Sequence, residues 1–151
     1  MKRNVLIALM ALIMTGALSA AGKSTDAYIS DLKSGSEDAR IEAAQALGKA
    51  KAKAAVPALI SALDAKSKMV QAAAAAALGA IGEKGDATAA VIKIAKETDD
   101  GVVRYAALAS LLELVEKDQK ADVQELMQAQ AENEDDLLSD LAGKLAAKLE
   151  K

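Results

Sequence analysis

The chain has 151 residues, with 19 basic against 22 acidic side chains, and is 52% hydrophobic with Tyr28 and Tyr105 as its only aromatic residues. It has no Cys and no His, which excludes disulfides and thiolate metal sites and removes the commonest general base and metal ligand. A core without large rings must be filled by Ala, Leu, Val and Ile, which favours closely packed helices over a sheet sandwich.

The first 21 residues read as a targeting segment. Lys2 and Arg3 open it, Val5 to Leu18 is an uncharged apolar run, and Ser19, Ala20, Ala21 and Gly22 are small. This is the layout of a secretory signal peptide, with small residues placed for cleavage after Ala21 or after Ser19. The run is short for a membrane span of about 20 residues. No Cys follows it to carry a lipid anchor. Residues 1–21 are therefore expected to be removed, leaving 22–151 as one domain in the bacterial periplasm or outside the cell. That domain keeps 17 basic and 22 acidic groups and, once the segment is cleaved, is expected to have no membrane attachment; the alternative is an uncleaved N-terminal anchor.

From Thr25 onward two helical patterns alternate. Thr25, Tyr28, Ile29 and Leu32 stand at steps 0, 3, 4 and 7, one face of an amphipathic helix. An Ala-rich helix follows, with Ala39, Ala43, Ala46, Leu47 and Ala50 at steps 0, 4, 7, 8 and 11. The first pattern returns at Val56, Leu59, Ile60 and Leu63, at Thr88, Val91, Ile92 and Ala95, and more weakly at Val123, Leu126, Met127 and Gln130. The Ala-rich pattern returns at Val70, Ala74, Ala77, Leu78 and Ile81, then at Val103, Ala107, Ser110, Leu111 and Leu114. Leu138, Leu141, Leu145 and Leu149 edge a last helix of that kind. A helix repeating at such a spacing marks a stacked array: an all-α solenoid, a superhelix of antiparallel helix pairs. Punctuation agrees. Ser36 with Glu37 and Asp38, Asp99 with Asp100, and Asn133 before Glu134, Asp135 and Asp136 are placed to cap Ala-rich-type helices. Pro57 falls in a first turn, while Gly82, Gly85 and Asp86 mark a connection.

The stretches DARIEAAQALGKA, AVPALISALD with MVQAAAAAALGAIG, and GVVRYAALASLLEL resemble the short HEAT-like repeats of phycobilisome lyase-type proteins. Tetratricopeptide repeats would want fixed aromatic residues, and ankyrin repeats a Thr-Pro-Leu-His turn; the chain has neither. The resemblance covers nearly all of 22–151 and is a likeness in packing residues. It implies a HEAT-like solenoid and does not point to one activity, though the family it resembles includes bilin lyases. It also implies Asp–Arg pairs linking neighbouring units, matched by Asp38 with Arg40 and Asp100 with Arg104. Gln71 and Leu138 interrupt that ladder.

No candidate for chemistry survives its context. Gly22-Lys23-Ser24-Thr25 looks like the end of a phosphate loop, but Ala17 stands where the leading glycine belongs and no strand precedes it. Gly79, Gly82 and Gly85 are explained by helix packing and capping. Asp99-Asp100-Gly101 lacks the alternating oxygen ligands and closing Glu of a calcium loop. Asp135 and Asp136 are adjacent on a helix and do not face each other. No cofactor and no metal are expected, and the chain is read as a non-enzyme.

Residues 33–96 carry ten basic and six acidic groups, residues 97–140 three basic and thirteen acidic. The lysines Lys49, Lys51 and Lys53 do not make a nucleic-acid site on an acidic exported chain without stacking rings. What remains is a surface. With steps 0, 3, 4 and 7 of each second helix buried, step 5 presents Ser30, Ser61, Lys93 and Gln128. Step 2 adds Ala27, Ala58, Ala90 and Glu125. These second helices are expected to line the concave side. The expected function is a non-catalytic protein–protein interaction scaffold or adaptor that binds a protein partner on that face. A bilin lyase-like enzyme and a purely structural or assembly element are the alternatives.

Overall fold

The computed structural model describes residues 22–115, 120–131 and 136–150; the expected signal peptide and the cap at Asn133 lie outside them. Eight α-helices run through the described residues: α1 Thr25–Ser34, α2 Glu37–Lys49, α3 Val56–Ala62, α4 Lys68–Ile81, α5 Asp86–Glu97, α6 Gly101–Leu114, α7 Lys120–Ala131 and α8 Asp136–Leu149. A 3₁₀ turn, Lys53–Ala55, leads into α3. They pair as four hairpins, α1/α2, α3/α4, α5/α6 and α7/α8, stacked so that each contacts its neighbours. This is the all-α solenoid read from the repeat spacing.

The stripe on α4 is buried throughout, with Val70, Ala74 and Leu78 at 0% exposure. Its counterpart on α6 (Val103, Ala107, Ser110, Leu111 and Leu114) is buried too, as are Leu138, Leu141, Leu145 and Leu149 on α8. The copy on α2 departs from expectation at its end. Ala50 is exposed because α2 stops at Lys49 and the chain turns away through Lys51, whose φ is +50°. On α1 Thr25 is exposed and Tyr28 and Ile29 are half-buried, since among the described residues α1 has a neighbouring hairpin on one side only. Because Ala74 is fully enclosed, Ala74→Leu is expected to overpack the α4 seam and lower stability by about 1–3 kcal/mol, read from urea unfolding curves.

Helix starts are capped by side chains. Ser36 Oγ accepts from the N–H of Ala39 at 3.3 Å, and Asp100 accepts from Val102 and Val103 at 2.9 and 3.0 Å. Ser24 and Ser67 do the same for α1 and α4, two caps that the acidic clusters did not point to. Pro57 sits in the first turn of α3, and Gly82 closes α4 at φ +72°, a left-handed position suited to glycine.

The expected Asp–Arg ladder takes a different form. Arg40 Nε donates to the carbonyl of Leu32 at 2.9 Å, and Arg104 Nη2 donates to that of Thr98. Gln71, at the matching place in α4, donates from Nε2 to Ala65 O at 2.9 Å. Each long polar side chain thus holds the end of the preceding helix or connection within its own hairpin. Gln71 reproduces the contact instead of interrupting it. Links between hairpins are made by other groups: Ser67 to Glu37 and Lys53 to Glu83 (both 2.8 Å), Lys68 to Asp99 (3.3 Å) and Lys96 to Glu125 (2.7 Å). In the interior, Thr88 Oγ1 reaches Leu114 O.

Candidate protein-binding surface

The two layers of the stack are packed differently. Neighbouring Ala-rich helices touch along much of their length, whereas α1, α3, α5 and α7 meet one another at few points. The closeness has a local cause. A Cβ added at Gly48 would lie 2.9 Å from Ala77 Cα, and one at Gly79 only 2.8 Å from Ser110 Cα. Ser110 Oγ crosses this seam to donate to Ala75 O at 2.8 Å, and it also lies 2.7 Å from Ala106 O in its own helix. A stack bends toward its more closely spaced layer, so the Ala-rich layer is the inner one. The expectation that the second helices line the concave side is corrected on this ground: they form the outer, more open layer.

On that outer layer Ser30, Ser61, Lys93 and Glu125 are exposed, and Ala27 and Ala90 are half-buried. Ala58 does not belong with them. It is 7% exposed, turned into the core with Leu59 and Ala62 on the buried face of α3. The side chain of Gln128 lies outside the described residues. Lys93 sits where the helices splay. It lines a cleft of about 110 Å³ with Ile60, Ala90 and Ile94, and a second of about 310 Å³ with Ala89, Ile92 and Asp122.

The inner layer presents a feature not expected from the repeat pattern. The outward-facing residues of α2 are Asp38, Glu42, Gln45 and Lys49, all polar and exposed. The matching positions on α4 are Met69, Ala73, Ala76 and Ala80, and on α6 Val102, Ala106, Ala109 and Glu113. Met69, Val102 and Tyr105 are 53%, 56% and 43% exposed, the large hydrophobic groups most open to solvent among the described residues. Between α4 and α6 runs an open trough of about 320 Å³, lined by alanines, Gly79, Ser110, Tyr105 and, at one end, Glu113. Charge returns on α8, where Asp140 pairs with Lys144. The sequence signal was present: from Met69 to Gly82 no charged residue occurs, so α4 has no polar face to give to solvent.

Among the described residues, the ionisable groups with shifted titration all lie in exposed pairs. Hydrogen bonding from Lys68 holds the Asp99 carboxyl below its usual range, and hydrogen bonding from Lys96 does so for Glu125. Lys23, Lys96 and Lys144 are raised, first by hydrogen bonds to Asp31, Glu125 and Asp140. A depressed carboxyl adds stability above its unfolded-state pKa, lost as pH falls through the folded one. A raised lysine adds stability lost only as pH climbs past its folded value. With no His to titrate between them, the melting temperature is expected to be level from about pH 6 to 9 and to fall below about pH 4. A step near neutrality in a pH series of thermal melts would contradict this. Among the described residues no cluster of three or more Asp or Glu is placed to hold a metal, and no helix is long and apolar enough to cross a membrane.

Stacked antiparallel hairpins with a close-packed inner layer define an α-solenoid repeat protein. The family model for HEAT repeats matches residues 25–112, and the chain belongs to the HEAT-repeat family. Among solved structures it is similar to the complex of CpcE and CpcF of phycocyanin lyase from Nostoc sp. PCC7120, at 23% identity and a TM-score of 0.67. That likeness covers 88% of this chain and 67% of the other. A comparison with curated proteins finds no significant match.

Proposed function

We propose that the chain is a non-catalytic scaffold, exported by its N-terminal segment, that holds a protein partner on the inner, Ala-rich layer of its helix stack. The observation that carries this reading is the trough between α4 and α6, apolar along its floor with Glu113 at one end, and with Met69, Val102 and Tyr105 open to water. A contiguous exposed apolar patch with charged borders is the usual mark of a contact surface. A stack with neither His nor Cys, whose shifted ionisable groups among the described residues all sit in surface pairs, offers little for catalysis. The clefts around Lys93, with Ser30, Ser61, Ala90, Gln128 and Glu125 along the same layer, are the rival surface.

A photo-crosslinking amino acid placed at Tyr105, and separately at Lys93, tests the reading in the producing cell. A discrete adduct from position 105 is expected, together with a mature N-terminus at Gly22 or Ala20. Adducts from position 93 alone would move the site to the outer layer, and none from either would remove the scaffold reading. The likeness to a lyase complex supports one competing function. Covalent transfer of a bilin to an acceptor protein by the purified chain would establish it in place of the scaffold.

A further inference from the structure

The trough restricts what its occupant can be. Its walls, α4 and α6, use their backbone groups within the helices, so it has no strand edge for an incoming chain to pair with. An extended segment would lay its own N–H and C=O groups against alanine with no partner. A helix brings those groups already satisfied and can present a row of side chains to a floor of small residues. The strip from Met69 to Ala80 is about 17 Å long at 1.5 Å per residue, three helical turns.

The two ends of the strip differ in charge. At one end stand Met69, Val102 and Tyr105, all apolar or aromatic and exposed. At the other stands Glu113, with no ion-pair partner among the described residues, beside the negative C-terminal ends of α4 and α6. A cation is favoured there, and so is the positive N-terminal end of a helix. We infer that the trough between α4 and α6 docks an amphipathic helix of the partner, antiparallel to α4, with its apolar stripe on Ala76, Ala80 and Tyr105 and a Lys or Arg of its first turn against Glu113. This inference rests on the scaffold reading and names the partner's contact element.

The test is selection from a displayed library of random peptides of about 14 residues, enough for three turns with ends, on the purified protein. Enriched peptides are expected to carry apolar residues at helical spacing and a Lys or Arg near the N-terminus. Tyr105→Glu and Ala76→Glu, with helix content verified by circular dichroism, are each expected to weaken binding about tenfold or more. Lys93→Glu is expected to leave it unchanged. Glu113→Lys should weaken the basic peptide and strengthen the same peptide with Glu in place of its cation. No enrichment, enriched peptides without helical spacing, or binding that survives both Tyr105→Glu and Ala76→Glu would overturn the inference. If position 105 still yields a cellular adduct in that case, the docked helix fails while the scaffold stands. Peptide binding without any cellular adduct would instead support the trough chemistry and remove the scaffold reading.

Discussion

Leu78→Ala is expected to lower the stability of the stack by about 2–5 kcal/mol, with the value near the upper end. Leu78 is 0% exposed in the C-terminal half of α4, and its buried companions on that helix are largely Ala72, Ala74, Ala75, Ala77 and Gly79. Such short side chains cannot swing into the hole a missing isobutyl group leaves, so the cavity stays open. Position also matters. A solenoid is held by contacts between successive units, and a lesion in the second hairpin loosens its interfaces on both sides. Leu145→Ala, equally buried but on the last described helix, where the described residues supply a neighbour on one side only, is expected to loosen that one hairpin. Urea unfolding followed by circular dichroism, with hydrogen exchange on α8, separates the two. A loss below about 1 kcal/mol for Leu78→Ala would mean the seam relaxes around the gap.

Gly79→Ala is expected to destabilise by about 1–3 kcal/mol, against the general trend. Replacing a mid-helix glycine with alanine ordinarily adds about 0.5–1 kcal/mol to a helix. Here the new methyl would meet Ser110 Cβ at 2.7 Å and Cα at 2.8 Å, and a backbone atom cannot step aside. The helices must part, which also stretches the bond from Ser110 to Ala75 O. Gly143→Ala is the control, because nothing lies within 4 Å of a Cβ there. It is expected to raise the melting temperature while Gly79→Ala lowers it. The same sign for both would show that helix propensity outweighs the contact between α4 and α6.

The helix pattern was legible because burial in a stack follows helical spacing, and the stripes on α4, α6 and α8 needed no knowledge of what they packed against. The face that matters was harder. Residues 70, 74, 77, 78 and 81 account for one side of α4, and the same segment's lack of charge at 69, 73, 76 and 80 carried the second message. Periodicity finds a buried stripe most readily when the opposite side is polar; on α4 both sides are apolar, so the pattern by itself does not mark the exposed one as a surface. Which layer lies inside depends on how near two helices come. That distance is set by a glycine facing a Ser110 backbone some 30 residues away, a pairing that no local window contains. Gln71 shows a further limit: its role was hidden by its chemical type, since an amide makes the same bond as the guanidinium expected there.

The latches from Arg40, Gln71 and Arg104 span only six to eight residues of chain. Each closes its hairpin with groups that emerge almost together during synthesis. The contacts that join hairpins reach about thirty residues, and none requires the first hairpin to find the last. Folding therefore needs little search through chain conformations and should be rapid, advancing hairpin by hairpin from wherever the first pair closes.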